Sequence, residues 1–588
     1  MTLSYLVAAP ALWLVAVVEY LLFSHGATVR GTARAAVVLA VSSVAAVLPM
    51  AVAGAVPPEH SLALAGVSAF AYQLVYPLMR NVDRRTRKER ATYAADPAAG
   101  MCVFGLLCGM LLLGGVFEWI VGPIELALVA VVITQVVYYL LYGSSMDAYG
   151  FRLMTQTNTN EVIEFVRYYP LWLSASLVCV FAAVIAAAVW SNLPAAPYPP
   201  AATMWKLSAS MALCVVLLLA GGRRGVLARS GFAGFYLAKR DNTRRLRAYP
   251  AARAERERGI DAELLGRPYE EPSTIVLVIG ESANRDYMSA FAPGLERDTT
   301  PWLRGRHEAD PRHWMLFGNA YSCGMHTFMA LEQGLTEANQ MAPDGFVQAA
   351  SIVDMARAAG RRVHWYSNQG HLGASLSQVS VVADEADEAM WTDQKPGLPP
   401  YDAELLPMLE RVDPTRDNLV VLHLKGNHFS FENRYPAAAA RWTPAGAGDN
   451  VTTYMNSIHY VDDLLRQVWE RGSERLNMKA MVYCSDHAII PDCHRAPTFA
   501  GFGDVRIPLA VWTSEDFIAA HPERHAALQA NRGRYWTNDF LYELMCGLMD
   551  VRSPRFNPSN SLAYDTYAHG RDTLTILGGT VAVADDRE

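Results

Sequence analysis

Side chains of the kind that bind metal ions follow three separate apolar runs in the second half of the chain. The run Thr274–Gly280 is followed by Glu281, Leu419–Leu424 leads to His428, and Met478–Cys484 is followed by Ser485-Asp486-His487. Short runs rich in Val, Ile and Leu are typical of buried parallel strands. Ligands of open α/β sheets bind beyond the carboxyl ends of such strands. The pattern therefore predicts one metal site assembled from distant parts of the sequence.

The ligand types narrow the choice of metal. Glu281 and Asp486 offer hard oxygen atoms and His487 offers a borderline nitrogen, a mixture that favours zinc, as one or two ions, with manganese as the alternative. Calcium and iron–sulfur centres fit this set poorly. Taken alone, Glu281 is equally typical of a carboxylate at a helix N-terminus. The adjacent pair Asp486-His487 at a strand end has little structural use and favours the metal interpretation.

A candidate nucleophile lies in the segment Ser322-Cys-Gly-Met-His-Thr327, just before the apolar helical start Phe328–Leu335. Thr327 would lie at a helix N-terminus, where free backbone N–H groups stabilise an anion. A hydroxyl bound to zinc there loses its proton readily and becomes a nucleophile. Threonine is also a common N-cap residue, and Ser322 or His326 could serve instead, so the residues alone leave the choice open.

Two further histidines lie on predicted loops. His428 and His494 could stabilise charge on a phosphoryl group or protonate a leaving group. A single loop histidine is more often an ordinary surface residue. Their function therefore depends on the rest of the pattern.

The chain has 588 residues, of which 52% are hydrophobic and 18% charged, and its apolar stretches of membrane-spanning length all precede residue 222. We predict a transmembrane helical domain over 1–222, a basic bridging segment over 223–271, a catalytic domain over 272–575 and a tail over 576–588. The predicted spans are 3–23, 34–56, 61–79, 101–121, 123–142, 171–191 and 204–221. Five or six spans are the alternative, because 61–79 could lie at the interface and the pair meeting at Gly122-Pro123 could be miscounted.

After residue 272, strand-like runs alternate with helical patterns, which predicts a mostly parallel sheet with helices on both faces. The further strands are Arg362–Ser367 and Ile507–Thr513, and the helices include Gln348–Ala359 and Tyr454–Glu470. Neither an internal repeat nor a phosphate-binding glycine-rich loop is present in the sequence. We expect no nucleic-acid partner.

Charge and one polar segment bear on the membrane half. Arg80–Arg90 and Arg223–Arg258 are densely basic, and the positive-inside rule would place both, with the globular domain, in the cytoplasm. Long domains cross membranes largely regardless of charge, and basic segments also bind anionic head groups. Between two predicted spans, Asp147–Tyr169 contains Thr157 and Glu161. Taken alone, this segment is typical of a capped surface helix, with Thr159 or Asn160 as the cap and Glu161 in the first turn.

Four motifs, read in order, resemble the phosphoethanolamine transferases of Gram-negative envelopes, which carry a sulfatase-like domain of the alkaline phosphatase superfamily. They are Gly280-Glu-Ser-Ala-Asn-Arg285, Ser322-Cys-Gly-Met-His-Thr327, Gly426-Asn-His428 with Asn433-Arg-Tyr-Pro436, and Ser485-Asp-His487 with His494. The resemblance covers about residues 272–550 and extends weakly into the membrane half. It implies a multi-span α-helical membrane domain joined to an α/β/α sulfatase-like domain.

The resemblance also implies roles. Glu281, Thr327, Asp486 and His487 match the zinc ligands of that family, with Thr327 as the nucleophile that carries phosphoethanolamine. His428 and His494 match histidines that hold the phosphoryl group, and the segment with Thr157 and Glu161 resembles a loop that contacts the donor lipid. The implied reaction moves phosphoethanolamine from phosphatidylethanolamine to lipid A or lipopolysaccharide core. The implied location is the inner membrane with a periplasmic catalytic domain, against the charge rule.

Several departures bear on the acceptor. Gly-Met-His-Thr replaces the usual Thr-rich stretch around the nucleophile, the second Cys of a disulfide common after the nucleophile is absent, and Ala-Ile-Ile follows Ser-Asp-His487. Cys484 and Cys493 could form a disulfide instead. The competing hypotheses are a phosphodiesterase or other hydrolase of the same superfamily, and a non-enzymatic membrane sensor. A sulfatase is disfavoured because its nucleophile needs a Cys/Ser-x-Pro-x-Arg context.

Overall fold

The computed structural model describes residues 2–23, 29–71, 73, 92–142, 150, 160, 163–164, 175–176, 178–180, 182–183, 185–186, 199–222, 225–261, 263–264, 269–342, 345–371, 377–392, 400–446, 448–492 and 499–587. The chain forms two compact units. One comprises Met1–Thr155 with Tyr169–Asp241, and the other comprises Gln156–Tyr168 with Asn242–Glu588.

The first unit is helical. Its longer helices are Thr2–Phe23, Val29–Ala53, Glu59–Phe70, Thr92–Leu113, Val116–Tyr142 and Ala201–Leu219. Four segments within the described residues are long and apolar enough to cross a membrane, namely Thr32–Ala53, Ala94–Leu113, Trp119–Tyr139 and Ala201–Leu219, and Val7–Leu22 is a shorter apolar helix. Most of the predicted span 171–191, and the second half of 61–79, lie outside the described residues.

The predicted break between the spans 101–121 and 123–142 is misplaced. The first helix ends at Leu113, and Gly114 and Gly115 both have positive φ angles, of 71° and 63°. Glycine adopts this conformation without steric cost, so it supplies the turn. Pro123 lies inside the next helix, as prolines can in membrane helices.

The catalytic unit is built on a seven-stranded sheet, counted over the part of the chain that the structure describes. Its strands are β1 (Thr274–Gly280), β2 (Trp314–Leu316), β3 (Arg362–Ser367), β4 (Glu388–Trp391), β5 (Asn418–His423), β6 (Met478–Ser485) and β7 (Leu509–Thr513). The strand order is β2-β7-β6-β1-β5-β3-β4. The strands β6, β1, β5, β3 and β4 are parallel, and β7 runs antiparallel to both β6 and β2. The predicted mostly parallel sheet is confirmed.

Helices cover both faces of this sheet. The α-helices of the catalytic domain are Pro301–Ala309, Thr327–Gly334, Ile352–Ala358, Gln378–Ala383, Asn450–Arg475, Glu515–Ala520, Pro522–Ala530 and Leu541–Leu548. Alternate residues of β1 enter two different cores, because Ile275 and Leu277 pack with one cluster and Val276 and Val278 with the other. Burial on both faces explains why β1 is a continuous apolar run.

Residues after the last membrane-length helix continue as helices Val226–Arg229, Gly231–Ala251 and Arg253–Arg258. Arg256 is fully buried. Its guanidinium donates to Asp354 at 3.0 Å and to both oxygens of Glu385 at 2.7 Å, and it lies 3.7 Å from the centroid of the Tyr249 ring. This part of the predicted bridging segment is therefore an integral piece of the catalytic domain.

The predicted tail 576–588 also packs into the domain. Thr575–Ile576 pairs with Val581–Ala582 as a short antiparallel hairpin. Asp586 is buried, pairs with Arg506 at 2.5 Å and accepts a hydrogen bond from the Tyr321 hydroxyl at 2.9 Å. Residues 575–586 are therefore part of the catalytic domain and not a separate tail.

Candidate metal centre and nucleophile

Two neighbouring strands place the acidic candidates side by side. In the register of β1 and β6, Gly280 pairs with Ser485, and the Asp486 backbone N–H donates to the Gly280 carbonyl at 3.0 Å. Glu281 and the pair Asp486-His487 are the next residues after these strand ends. The parallel register therefore brings them together at the carboxyl edge of the sheet.

Glu281, Asp486 and His487 form a compact buried group whose ligand atoms all lie within 4.8 Å of one another. His487 Nε2 is 3.1 Å from Glu281 Oε1 and 3.3 Å from Asp486 Oδ2. All three side chains have almost no exposed surface. Two carboxylates and an imidazole thus converge on one point inside the protein.

The electrostatics of this group fit a cation. Burial, reinforced by the Glu281 charge, raises the pKa of Asp486 well above its ordinary value, because two anions in a buried site repel each other. Asp486 Oδ2 is buried without a hydrogen-bond partner among the described residues. His487 Nδ1 lies 2.9 Å from the Ala488 carbonyl, which favours the Nδ1–H tautomer and directs the Nε2 lone pair at the carboxylates. A histidine held by a backbone carbonyl in this way is typical of a metal ligand.

Thr327 is the first residue of the helix Thr327–Gly334, with His326 as its N-cap residue. The Thr327 hydroxyl donates to Glu281 Oε2 at 3.0 Å. The hydroxyl oxygen therefore lies both at a helix N-terminus, where developing negative charge is stabilised, and beside the acidic group. The helix thus begins one residue before the predicted start at Phe328.

The structure favours Thr327 over the two other candidate nucleophiles, Ser322 and His326. Ser322 is fully buried, and its hydroxyl lies 2.6 Å from the carbonyl oxygens of both Gly324 and Asp486. It is therefore engaged in holding the backbone of the acidic loop. His326 is also buried, with its ring centroid 6.3 Å from that of His487, so it packs beside the group.

Ser282 supports Glu281 at some conformational cost. Its φ angle is +58°, a region that non-glycine residues rarely adopt. Its hydroxyl donates to Glu281 Oε1 at 2.6 Å and its N–H donates to Asp486 Oδ1 at 3.0 Å. The buried Tyr454 hydroxyl donates to the Ser282 carbonyl at 2.8 Å. This network holds a strained residue in place so that both carboxylates are oriented, as often occurs at functional sites.

The loop that carries His428 is joined to Glu281 through backbone contacts. Gly426 has a φ angle of +50°, and a Cβ atom there would lie 2.9 Å from both the N and the O of Glu281. The Asn427 N–H donates to the Glu281 carbonyl at 2.8 Å. The buried Asp402 carboxylate accepts the N–H groups of Lys425 and Gly426 at 2.7 and 2.9 Å. His428, half-buried, therefore follows a turn that packs directly on the acidic group.

Two residues of the site, Gln369 and Asn538, were not predicted from the sequence. Gln369 Nε2 lies 3.4 Å from Glu281 Oε2 and donates to the Leu424 carbonyl at 2.7 Å. Asn538 Nδ2 donates to the Asp486 carbonyl at 2.6 Å, and its Oδ1 accepts the Cys323 N–H at 2.8 Å. Gln369 could have been found, since it follows the carboxyl end of β3. Asn538 carries no local signal.

Some predicted residues cannot be placed. Thr157, Glu161, His494 and Cys493 lie outside the described residues, so the structure does not test their roles or the Cys484–Cys493 disulfide. Cys484 itself is buried near the end of β6. The group that the structure assembles from the predicted set is therefore Glu281, Thr327, Asp486 and His487, with His428 on the adjoining loop.

The sequence and the fold have known relatives. The family model for sulfatases matches residues 273–551. Phosphoethanolamine transferase EptC of Escherichia coli K12 is 26% identical over 454 residues, covering 68% of this chain and 75% of its own length. Kdo(2)-lipid A phosphoethanolamine 7''-transferase of the same strain is 26% identical over 306 residues, covering 48% of this chain and 52% of its own.

A solved structure extends the likeness to the membrane half. The integral membrane protein lipooligosaccharide phosphoethanolamine transferase A from Neisseria meningitidis superimposes with a TM-score of 0.56 at 18% identity. The match covers 89% of this chain and 98% of that protein. It supports the arrangement of a helical membrane domain followed by a sulfatase-like domain. The chain is therefore similar in sequence and in fold to phosphoethanolamine transferases, and its residues 273–551 match the sulfatase family.

Proposed function

We propose that the protein transfers phosphoethanolamine from phosphatidylethanolamine to lipid A or lipopolysaccharide core through a covalent intermediate on Thr327. One observation carries this proposal. The Thr327 hydroxyl lies at a helix N-terminus, 3.0 Å from Glu281 Oε2, beside the buried group of Glu281, Asp486 and His487. This arrangement suits an activated nucleophile.

The reaction has two displacements. In the first, Thr327 Oγ1 attacks the phosphorus of phosphatidylethanolamine, the bond to the glycerol oxygen breaks, and diacylglycerol leaves with the proton that the hydroxyl has lost. In the second, an oxygen of the acceptor attacks the same phosphorus and loses its proton, and Thr327 recovers its hydroxyl. Each displacement exchanges one P–O bond for another, so neither needs a co-reactant.

Glu281, Thr327, Asp486 and His487 would hold a zinc ion. When bound, zinc lowers the pKa of a coordinated hydroxyl and stabilises negative charge on phosphoryl oxygens. Glu281 orients the Thr327 hydroxyl in addition. His428 and His494 would contact the phosphoryl oxygens, and Thr157 and Glu161 would contact the donor head group. Manganese and a second metal ion stay alternatives for the same ligands.

The choice of acceptor and location rests on the relatives. The name of one Escherichia coli relative states that it acts on Kdo(2)-lipid A, and we infer an acceptor of the same class here. Both substrates are envelope lipids, so we place the protein in the inner membrane with its catalytic domain in the periplasm. Two arginines of the basic bridging segment, Arg256 and Arg245, form ion pairs within the catalytic domain, so the full charge of the segment does not count towards the positive-inside rule.

Mass spectrometry of the protein itself tests the proposal. Purified enzyme given phosphatidylethanolamine without acceptor should carry one phosphoethanolamine group on the tryptic peptide that contains Thr327. Thr327→Ala should lose the adduct and nearly all transfer, and Thr327→Ser should keep measurable activity because it keeps the hydroxyl. An adduct on Ser322 or His326, or full activity of Thr327→Ala, would overturn the mechanism. Rapid release of free phosphoethanolamine to water, with no transfer to lipid A, would favour the hydrolase hypothesis.

A further inference from the structure

Residues 320–326 lead directly into the helix that begins with Thr327. They comprise the short strand Ala320–Tyr321 and the turn that follows it, and we call them the nucleophile segment. Gly324 of this segment folds back on the helix, because a Cβ atom there would lie 2.6 Å from the Met329 Cβ. A shift of the segment would therefore also shift the first turn of the helix and the Thr327 hydroxyl.

The nucleophile segment is held at two points by residues 575–586. The Leu577 N–H donates to the Cys323 carbonyl at 2.8 Å. The Tyr321 hydroxyl donates to Asp586 Oδ2 at 2.9 Å. Tyr321, Cys323 and Asp586 are all buried. Two interior hydrogen bonds therefore fix one backbone group and one side chain of the segment.

Arg506 links Asp586 to the backbone of the site. Its Nε and Nη2 donate to the two oxygens of Asp586 at 2.9 and 2.5 Å, and its Nη1 donates to Asp286 at 3.1 Å. The backbone of Arg506 forms an antiparallel bridge with Tyr321, and its carbonyl accepts the Arg285 N–H at 3.1 Å. Arg506 therefore joins the nucleophile segment to the turn that follows the first acidic residue of the site.

Asp586 is needed for this arrangement on physical grounds. The Arg506 side chain is 9% exposed, and a buried charge is strongly disfavoured unless it is paired. The other carboxylate, that of Asp286, is 36% exposed and its attraction is screened by solvent, so Asp586 supplies the main counter-charge. Both oxygens of Asp586 accept hydrogen bonds, whereas an amide in the same place could accept on one side alone. Asp586→Asn therefore breaks part of the network and keeps the size of the side chain.

We propose that Asp586 and Arg506 are positioning residues, which fix the nucleophile segment so that the Thr327 hydroxyl stays beside Glu281. The inference rests on the proposed function and adds the residues that support its nucleophile. Their loss should slow the attack of Thr327 on phosphorus, because misplacing a reacting group by about 1 Å can cost on the order of 100-fold in rate. Zinc content should change far less, since the acidic group is held by the paired ends of β1 and β6.

The experiment measures, in a single turnover, how fast the full-length enzyme in detergent acquires phosphoethanolamine from phosphatidylethanolamine. Mass spectrometry of the intact protein follows the adduct on Thr327 at several donor concentrations, which separates the maximal rate from the apparent KM. Asp586→Asn should lower the maximal rate roughly 10–100-fold and keep the apparent KM and the zinc content within about twofold of the wild type. Tyr321→Phe, which removes the hydroxyl and keeps the ring, should cause a smaller loss of the same kind.

A double variant and two controls test whether the effect is specific. Tyr321→Phe combined with Asp586→Asn should react about as slowly as Asp586→Asn alone, because both changes remove the same contact. Asp585→Asn changes the exposed neighbour of Asp586 and should alter nothing. Leu303→Ala removes a buried side chain from the other core of the domain, so it should lower the Tm and keep the maximal rate within about twofold.

The possible outcomes are distinct. A wild-type rate of adduct formation in both Asp586→Asn and Tyr321→Phe would overturn the inference. A loss in Asp586→Asn that appears as lower zinc content and lower Tm, with an unchanged rate for the zinc-loaded fraction, would also overturn it. A wild-type enzyme that forms no adduct on Thr327 would instead refute the proposed function.

Discussion

The closest backbone approach in the candidate site gives the sharpest prediction. At Gly426 an added Cβ would lie 2.9 Å from the N and the O of Glu281, and φ is +50°. An ordinary carbon contact needs about 3.5 Å, so Gly426→Ala must push the two backbones apart by roughly half an ångström. Both contacted atoms are backbone atoms, and rotation of a side chain cannot relieve the contact.

The displacement exceeds what a metal site tolerates. Ligand distances in such sites hold to within about 0.2 Å, and Glu281 is one of the proposed ligands. Disturbing the support of a ligand typically costs about 10–100-fold in metal affinity or activity. We expect Gly426→Ala to weaken zinc binding and to lower turnover by a factor in that range.

A matched glycine separates this effect from the cost of the backbone conformation itself. A non-glycine residue in the left-handed region costs about 1–2 kcal/mol, and this cost applies equally to Gly578→Ala, where φ is +65° and nothing lies within 4 Å of the added Cβ. Zinc affinity is measured by competition with a chromophoric chelator, and stability by thermal unfolding. If Gly426→Ala has the same zinc affinity and the same turnover as Gly578→Ala, the close contact between Gly426 and Glu281 does not affect function.

Three further predictions concern the metal, pH and topology. Asp486→Ala should lose bound zinc and activity. Chelation should lower the Tm of the wild type but not that of the variant, because the metal would join two strand ends. An unchanged zinc stoichiometry in the variant would refute the ligand assignment. Burial is the main cause that lowers the pKa of His521 from 6.5 to about 4, and the charges of Arg524 and Arg361 lower it further. The folded protein therefore keeps His521 neutral at pH values where the unfolded chain protonates it. As a result, the free energy of unfolding decreases as the pH falls from 6.5 towards 4. His521→Phe should match the wild type at pH 7.5 and lose less stability at pH 4.5, by on the order of 1 kcal/mol, in urea unfolding. A C-terminal alkaline phosphatase fusion should be active and a C-terminal fluorescent-protein fusion dark; the reverse pattern would place the catalytic domain in the cytoplasm.

The central strands could be predicted from the sequence because they are buried on both faces. β1 and β3 have the predicted bounds, and β6 is one residue longer than predicted. Strands buried on both faces consist almost wholly of apolar residues, so their ends show directly in the sequence. The predicted strand Ile507–Thr513 begins at Leu509, and its antiparallel direction depends on partners that local sequence does not reveal.

Helix ends and site contacts were harder to predict. The helix predicted over Gln348–Ala359 begins only after Ser351, whose side chain and that of Asp354 form a reciprocal capping box. The two capping-box residues are visible in the sequence, but the predicted start followed the apolar periodicity and was therefore placed too early. By contrast, the contact of Asn538 with the acidic loop joins residues 52 apart in the chain. Only the folded chain can show such a pairing.

The buried Arg256 cluster implies an order of events during biosynthesis. Arg256 precedes its two carboxylate partners by 98 and 129 residues. A chain that has emerged only as far as the sheet's first strands carries this arginine without its counter-charges. The segment around Arg256 can therefore complete its contacts within the catalytic domain only after Glu385 has been synthesised. Chains truncated before that residue should leave Arg256 without its counter-charges and should be cut readily at this junction by an added protease.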